Sequence, residues 1–191
     1  MTKSKLAVAA FIVVAMAQLY VPAAMIFERE AILSKGKEFR FRAAPVDPND
    51  PFRGKYITLN YLSNSFEIKS EDDWILNETV YVVLDEDPDG FAQVISVSKK
   101  EPAGGQDFVR AKVDNLVFND TWELVIGYPF VRFYMEENKA PRAEIEYNNA
   151  LRDSTRVTWA LVSIKNGDAV LKDVMIDGVS LSKLSEGIPA K

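Results

Sequence analysis

The chain has 191 residues, 48% of them hydrophobic, and a formal charge of −5, a balance that excludes both a disordered tail and a basic nucleic-acid binder. It contains no cysteine and no histidine. Disulfides, thiolate metal sites, an acylated lipoprotein cysteine, Ser-His-Asp and Cys-His nucleophiles and the usual zinc sites are thereby excluded, which leaves lysine, carboxylate or tyrosine chemistry.

Residues 6–27 carry no charge, and as a helix these 22 residues would be about 33 Å long, enough to cross a bilayer. Lys3 and Lys5 precede the run and Glu28, Arg29 and Glu30 follow it, so the positive-inside rule keeps the N-terminus in the cytoplasm and exports the rest. The rival reading is a cleaved signal peptide with Ala15-Met16-Ala17 as its cleavage site, but the apolar run continues well beyond that point. A core helix with so long an uncharged run is out of keeping with a single soluble domain. The expected division is an anchor or signal peptide over residues 1–27, a helical extension or linker over 28–37, and one exported β domain over 38–191, large enough for its own core.

From Glu38 the pattern changes to period two: Phe39, Phe41 and Ala43 alternate with Glu38, Arg40 and Arg42, as in a half-buried strand. Lys35, Lys37, Arg40 and Arg42 form a basic cluster near the bilayer, which suits either anionic headgroups or a solvated strand face balanced by acids. Asp47-Pro48-Asn49-Asp50-Pro51 is a turn, since Asx side chains cap their own backbone and proline withholds a donor. Gly54 supplies permissive backbone, and a strand over residues 55–62 follows. In it Ile57, Leu59 and Tyr61 face the core, Lys55 shares their parity at the strand's mouth, and Tyr56, Thr58 and Asn60 point the other way.

Residues 54–61 read G-K-Y-I-T-L-N-Y and resemble the signature of the GDYXXLXY protein family, with Lys55 where the family has an aspartate. Asp47-Pro48, Asp50-Pro51 and Arg53 ahead of it, and the blocks at 132–137 and 173–178 behind it, are similar to the same family, so the resemblance covers nearly the whole chain. It implies a small membrane-anchored bacterial protein of unassigned biochemical function, often encoded beside multi-spanning membrane proteins. No catalytic residue carries over from it.

Residues 70–74 are acidic and loop-like, and 79–84 are apolar on both faces, as in a central strand. Asp87-Pro88-Asp89-Gly90 turns the chain into a hairpin partner over 91–98, and Pro102-Ala103-Gly104-Gly105 turns it again. Residues 107–113 alternate, 121–126 add another strand, and 128–134 are aromatic and extended. Residues 142–151 form the one soluble helix, with Ala143, Ile145, Ala150 and Leu151 as its apolar stripe. A hairpin over 157–164 and 169–176 turns on Asn166-Gly167, which suits type I′, and a short strand over 179–181 closes the domain. The fold class is mainly β: one N-terminal transmembrane helix followed by an antiparallel β barrel or sandwich with one soluble helix.

Asp47, Asn49 and Asp50 could ligate calcium, but the further carboxylates of a calcium loop are missing, and Asx turns with Arg53 paired to one aspartate account for the same residues. The candidate binding surface comprises Arg53, Gly54, Lys55, Tyr56, Leu59 and Tyr61, approached by Tyr134, Glu136 and Glu137. Aromatic faces with a few charges suit a polar ligand such as a glycan; in the plainer reading the tyrosines pack and the charges set register. Glu136, Glu137, Glu144 and Glu146 could supply a glycosidase pair, although helix-surface glutamates are ordinary. A serine-lysine hydrolase resembling a signal peptidase, whose strand entry Phe52-Arg53-Gly54-Lys55-Tyr56-Ile57 faintly resembles, would need a desolvated lysine base and a serine just past the anchor; Ser34 is in place, yet Leu33-Ser34-Lys35-Gly36 lacks the expected Ser-x-Met-x-Pro context.

The expectation is a non-enzymatic, exported domain tethered in the bacterial inner membrane, an accessory or binding subunit for a multi-spanning membrane protein, without cofactor or nucleic acid. The alternative is a binding module for a polar ligand at the motif cleft. A deep aromatic pocket favours the second, an exposed apolar patch the first.

Overall fold

A computed structural model describes residues 2–45 and 56–186. The apolar run is one helix, α1 (Thr2–Lys35), which continues past Phe27 through Glu28, Arg29 and Glu30 rather than ending at the first charges. Its segment Ala10–Lys35 is long and apolar enough to cross a membrane, and among the described residues its most apolar stretch has no buried side chain.

The remaining elements are β1 (Lys37–Ala44), β2 (Tyr56–Thr58), β3 (Asn60–Tyr61), β4 (Ser65–Ile68), β5 (Thr79–Glu86), β6 (Ala92–Ser98), β7 (Phe108–Asn119), β8 (Thr121–Gly127), β9 (Arg132–Tyr134), α2 (Ala140–Arg152), β10 (Thr158–Lys165), β11 (Asp168–Ile176), β12 (Val179–Ser180) and α3 (Leu181–Leu184). They form a sheet ordered β12-β11-β10-β1-β3, a second ordered β4-β8-β7-β5-β6, and the pair β2-β9. Together these make a nearly closed antiparallel barrel. One seam is joined at Val109 and Gly167, where the Arg110 N–H donates to the Gly167 carbonyl over 2.8 Å. The other is bridged by side chains: Arg42 of β1 lies 4.0 Å from the Phe91 ring centroid and pairs with Asp89 at 2.7 Å.

Local chemistry explains most of these elements. The β10-β11 turn has φ of +52° at Asn166 and +83° at Gly167, the two positive values that a type I′ turn requires. A Cβ at Gly167 would sit 2.5 Å from the Phe108 ring, so glycine is needed there for space as well as conformation. In the core Phe41, Tyr61, Tyr128 and Phe130 form an aromatic cluster with ring centroids 5.0 to 5.9 Å apart, most of them tilted or edge-on as ring quadrupoles favour.

Several expectations change. The strand over 55–62 is divided at Leu59, whose N–H turns to the Val131 carbonyl (2.9 Å), because β2 pairs with β9 while β3 pairs with β1. Within the 107–113 region the strand runs on to Asn119 through a bulge at Asp114, and β4, absent from the sequence reading, forms by pairing with β8. On α2 the buried residues are Ala140, Ala143, Tyr147 and Ala150, whereas Ile145 is 60% exposed. The 3.6-residue period puts Ile145 about 200° from Ala143, so the stripe follows small residues and one tyrosine rather than hydropathy. Leu181 begins α3 instead of ending a strand.

Candidate functional site

The signature strand has two faces. Inward, Ile57, Leu59 and Tyr61 are buried, and the Tyr61 hydroxyl donates to the Phe130 carbonyl over 2.8 Å. Burial pushes that hydroxyl well above its ordinary pKa, with the neighbouring Tyr147 adding to the effect. Leu59 and Tyr61 therefore pack inside the barrel wall. Outward lie Tyr56, Thr58 and Asn60, none of them buried.

Tyr56 pairs in register with Tyr134, their rings 5.4 Å apart, and the Arg132 guanidinium lies over Tyr56 at 5.1 Å. Tyr134 is 64% exposed, so this is an aromatic-cationic platform on the outer wall rather than a deep pocket. Glu136 lies two residues beyond it; its carboxylate accepts from Lys139 (3.1 Å), which also meets Glu186, and its carbonyl accepts the Ala140 N–H at the start of α2. Arg53, Gly54 and Lys55, like Asp47, Asn49 and Asp50, lie outside the described residues. Ser34 is on α1 with its hydroxyl bonded to the Glu30 carbonyl. The basic cluster is dispersed: Arg40 and Arg42 turn onto Phe91, and Lys37 binds Asp107 at 2.7 Å, a bond that raises the lysine pKa.

Beside the platform the outward face borders a cleft of about 440 Å³. Val125 and Val131, both half-buried, form its apolar floor; Thr58, Asn60, Asn64, Asn77, Lys112 and Asp114 form its polar rim. Sequence reasoning missed Asn64, Asn77, Lys112 and Asp114, which come from a turn, a loop and a bulge with no fixed spacing. The signal available was the high frequency of asparagine around the signature, which reads equally well as turn chemistry.

At the opposite end α1 is docked, not merely attached. Ile32 is 3% exposed, and its carbonyl accepts both the Gly36 N–H (2.8 Å) and the hydroxyl of the fully buried Ser163 (2.7 Å). Arg29 donates to the Ala169 carbonyl at 3.3 Å, and Lys172 reaches the Leu33 carbonyl at 3.5 Å and Glu38 at 2.6 Å. From residue 29 to 33 of the helix the partner moves from 169 to 172 on β11, so helix and strand run in the same sense. β1 shares that sense because both it and β11 are antiparallel to β10. The signature strand, paired to the far end of β1, thus lies at the barrel end away from the apolar part of the helix.

Fold and site together define a class: a small antiparallel barrel docked on the end of one long apolar helix, with an aromatic platform and a polar cleft at its far end. Within that class the chain belongs to the GDYXXLXY protein family, whose model matches residues 18–174. No curated protein and no solved structure matches it.

Proposed function

We propose that the protein is a non-enzymatic accessory subunit of a membrane complex, anchored in the bacterial inner membrane by α1, with its N-terminus cytoplasmic and its barrel in the periplasm. The observation that carries this reading is the docked joint between α1 and the β10-β11 hairpin. A simple tether needs no buried Ile32, no Ser163 bond and no Arg29 or Lys172 contacts; a domain that must meet a partner in one orientation does. The stand-off follows from the same geometry: residues 28–35 and the length of β1 together place the motif end up to about 35 Å beyond the apolar run. A partner touching the Tyr56–Tyr134 platform does so with a periplasmic loop or domain, and a multi-spanning protein supplies such loops. The lack of histidine and cysteine supports a non-enzymatic role.

The test is a mild-detergent pull-down from native membranes through a C-terminal tag, with Tyr56→Ala/Tyr134→Ala as the control. Both residues lie on the outer wall, whereas a Tyr61→Ala control would disrupt the core. A stoichiometric multi-spanning partner lost in the double variant is the expected result. Recovery of this chain alone, under conditions that preserve other membrane complexes, overturns the reading.

A further inference from the structure

The cleft beside the platform has more internal order than a surface depression requires. The Asn60 carboxamide oxygen accepts the Tyr61 N–H (3.0 Å) and one Asn64 side-chain N–H (2.9 Å). A backbone N–H can only donate, so the first bond fixes which end of the Asn60 amide is oxygen, and the second fixes Asn64 in turn. The Asn60 NH₂ group and the Asn64 side-chain oxygen are left as a donor and an acceptor on two amides already joined to each other. Such a pair matches the C=O and N–H of a ligand amide.

The rest of the rim limits the charge and shape of an occupant. Lys112 and Asp114 flank Val113 at the β7 bulge, both exposed and without an ion-pair partner among the described residues. Their charges cancel, so the cleft gives no net attraction to phosphate, polyanion or metal ion. Asn77 stands on the rim with φ of +64°, and Thr58 adds a hydroxyl. Opposite the bulge is Gly127, where a Cβ would lie 3.3 Å from the Asp114 Cβ and 3.4 Å from the Lys112 carbonyl; its lack of a side chain keeps the cleft open. Val125 and Val131, both half-buried, form an apolar bed for a methyl group or the C–H face of a sugar ring. The volume of about 440 Å³ falls within the ~300–1,000 Å³ of small-molecule sites.

We propose that this cleft binds a short, uncharged glycan carrying acetamido groups, with the Asn60–Asn64 pair reading the amide, the apolar floor taking its methyl group, and Asn77 and Thr58 meeting ring hydroxyls. The Tyr56–Tyr134 platform, on the same outward face of the strand, supplies a stacking surface for a further ring. This inference stands independently of the partner protein proposed above.

The experiment is saturation-transfer difference NMR on the full chain in detergent micelles. N,N′-diacetylchitobiose is the probe, and cellobiose, which has hydroxyls in place of the acetamido groups, is the comparison. Two variants accompany it. Asn64→Ala/Asn77→Gly deletes two carboxamides, glycine being chosen because Asn77 has positive φ; Thr58→Trp fills the cleft from an exposed strand position and leaves both asparagine turns untouched. The expected result is saturation concentrated on the acetyl methyl of diacetylchitobiose, little on cellobiose, and affinity about tenfold or more weaker in each variant that keeps the wild-type melting temperature. Three results overturn the proposal: no transfer to diacetylchitobiose at ~10 mM, the weak end of specific binding; equal transfer to cellobiose; or undiminished transfer in Thr58→Trp.

Discussion

Tyr61 and Tyr147 are both 1% exposed, and they are close enough for Tyr147 to raise the Tyr61 pKa, yet removing their hydroxyls has opposite consequences. The Tyr61 hydroxyl donates to the Phe130 carbonyl over 2.8 Å in the core, so Tyr61→Phe leaves that carbonyl unpaired at a cost of ~1–3 kcal/mol. The Tyr147 hydroxyl is buried without a hydrogen-bond partner among the described residues. Its desolvation is uncompensated, and Tyr147→Phe stabilises the fold by ~1 kcal/mol at nearly constant side-chain volume. In a chain of this size those changes move the melting temperature by roughly 2–4 °C per kcal/mol, downward for the first and upward for the second. Urea unfolding of the full chain in micelles, followed by the fluorescence of Trp74, Trp122 and Trp159, gives both values on one scale. If Tyr147→Phe destabilises as much as Tyr61→Phe, the Tyr147 hydroxyl is hydrogen-bonded in solution and the argument from its burial fails.

The same burial makes a prediction for pH. Tyr61, Tyr128 and Tyr147 are all held above the ordinary tyrosine value of 10.0, chiefly by desolvation. Their contribution is intact below that value and is lost above it, because the unfolded chain releases protons that the folded one retains. The loss approaches ~1.4 kcal/mol per pH unit for each tyrosine, and a urea midpoint that stays flat from about pH 8 to about pH 11 refutes it. At the joint, a Cβ on Gly36 would lie 2.6 Å from the Ile32 carbonyl and 2.9 Å from that of Ile164, backbone atoms that cannot swing aside. Gly36→Val should therefore undock the helix at a cost of ~1–3 kcal/mol and open residues 28–37 to limited proteolysis; unchanged protease resistance would contradict it.

What was legible in the sequence was parity, and parity depends only on the alternation of a strand and on water. Phe39 and Phe41, and Ile57, Leu59 and Tyr61, were assigned to the core from spacing alone, and all five are buried. The Asn166-Gly167 turn was legible for a similarly local reason, since its two positive φ values suit few residue pairs. Choice of partner was not legible. Nothing between Tyr56 and Tyr61 announces that the chain leaves β9 for β1 at Leu59, because both pairings place the same side chains inward. β4 is only four residues long and depends on β8 for its existence. The stripe of α2 was misread at Ile145 because hydropathy was weighed above geometry: Ala143, Tyr147 and Ala150 share one face and Ile145 does not.

The candidate site was half legible for a reason contained in the signature itself. Of the described positions that the family pattern names, Leu59 and Tyr61 point into the barrel, while Tyr56 packs against Tyr134 and Arg132 on its wall. Two positions that the pattern leaves open, Thr58 and Asn60, line the cleft. A motif of this kind specifies how the strand is built more than what it meets. Tyr61 ties the strand to Phe130 and, through β3, to the end of β1, and β1 begins directly after the docked helix joint at Gly36. The named residues thus fix a frame that runs from the apolar helix to the far end of the barrel, and the unnamed residues on its outer face are free to differ without disturbing it. On this argument the orientation of the barrel relative to α1 belongs to the family's signature, whereas the chemistry of the cleft belongs to the positions that the signature leaves open.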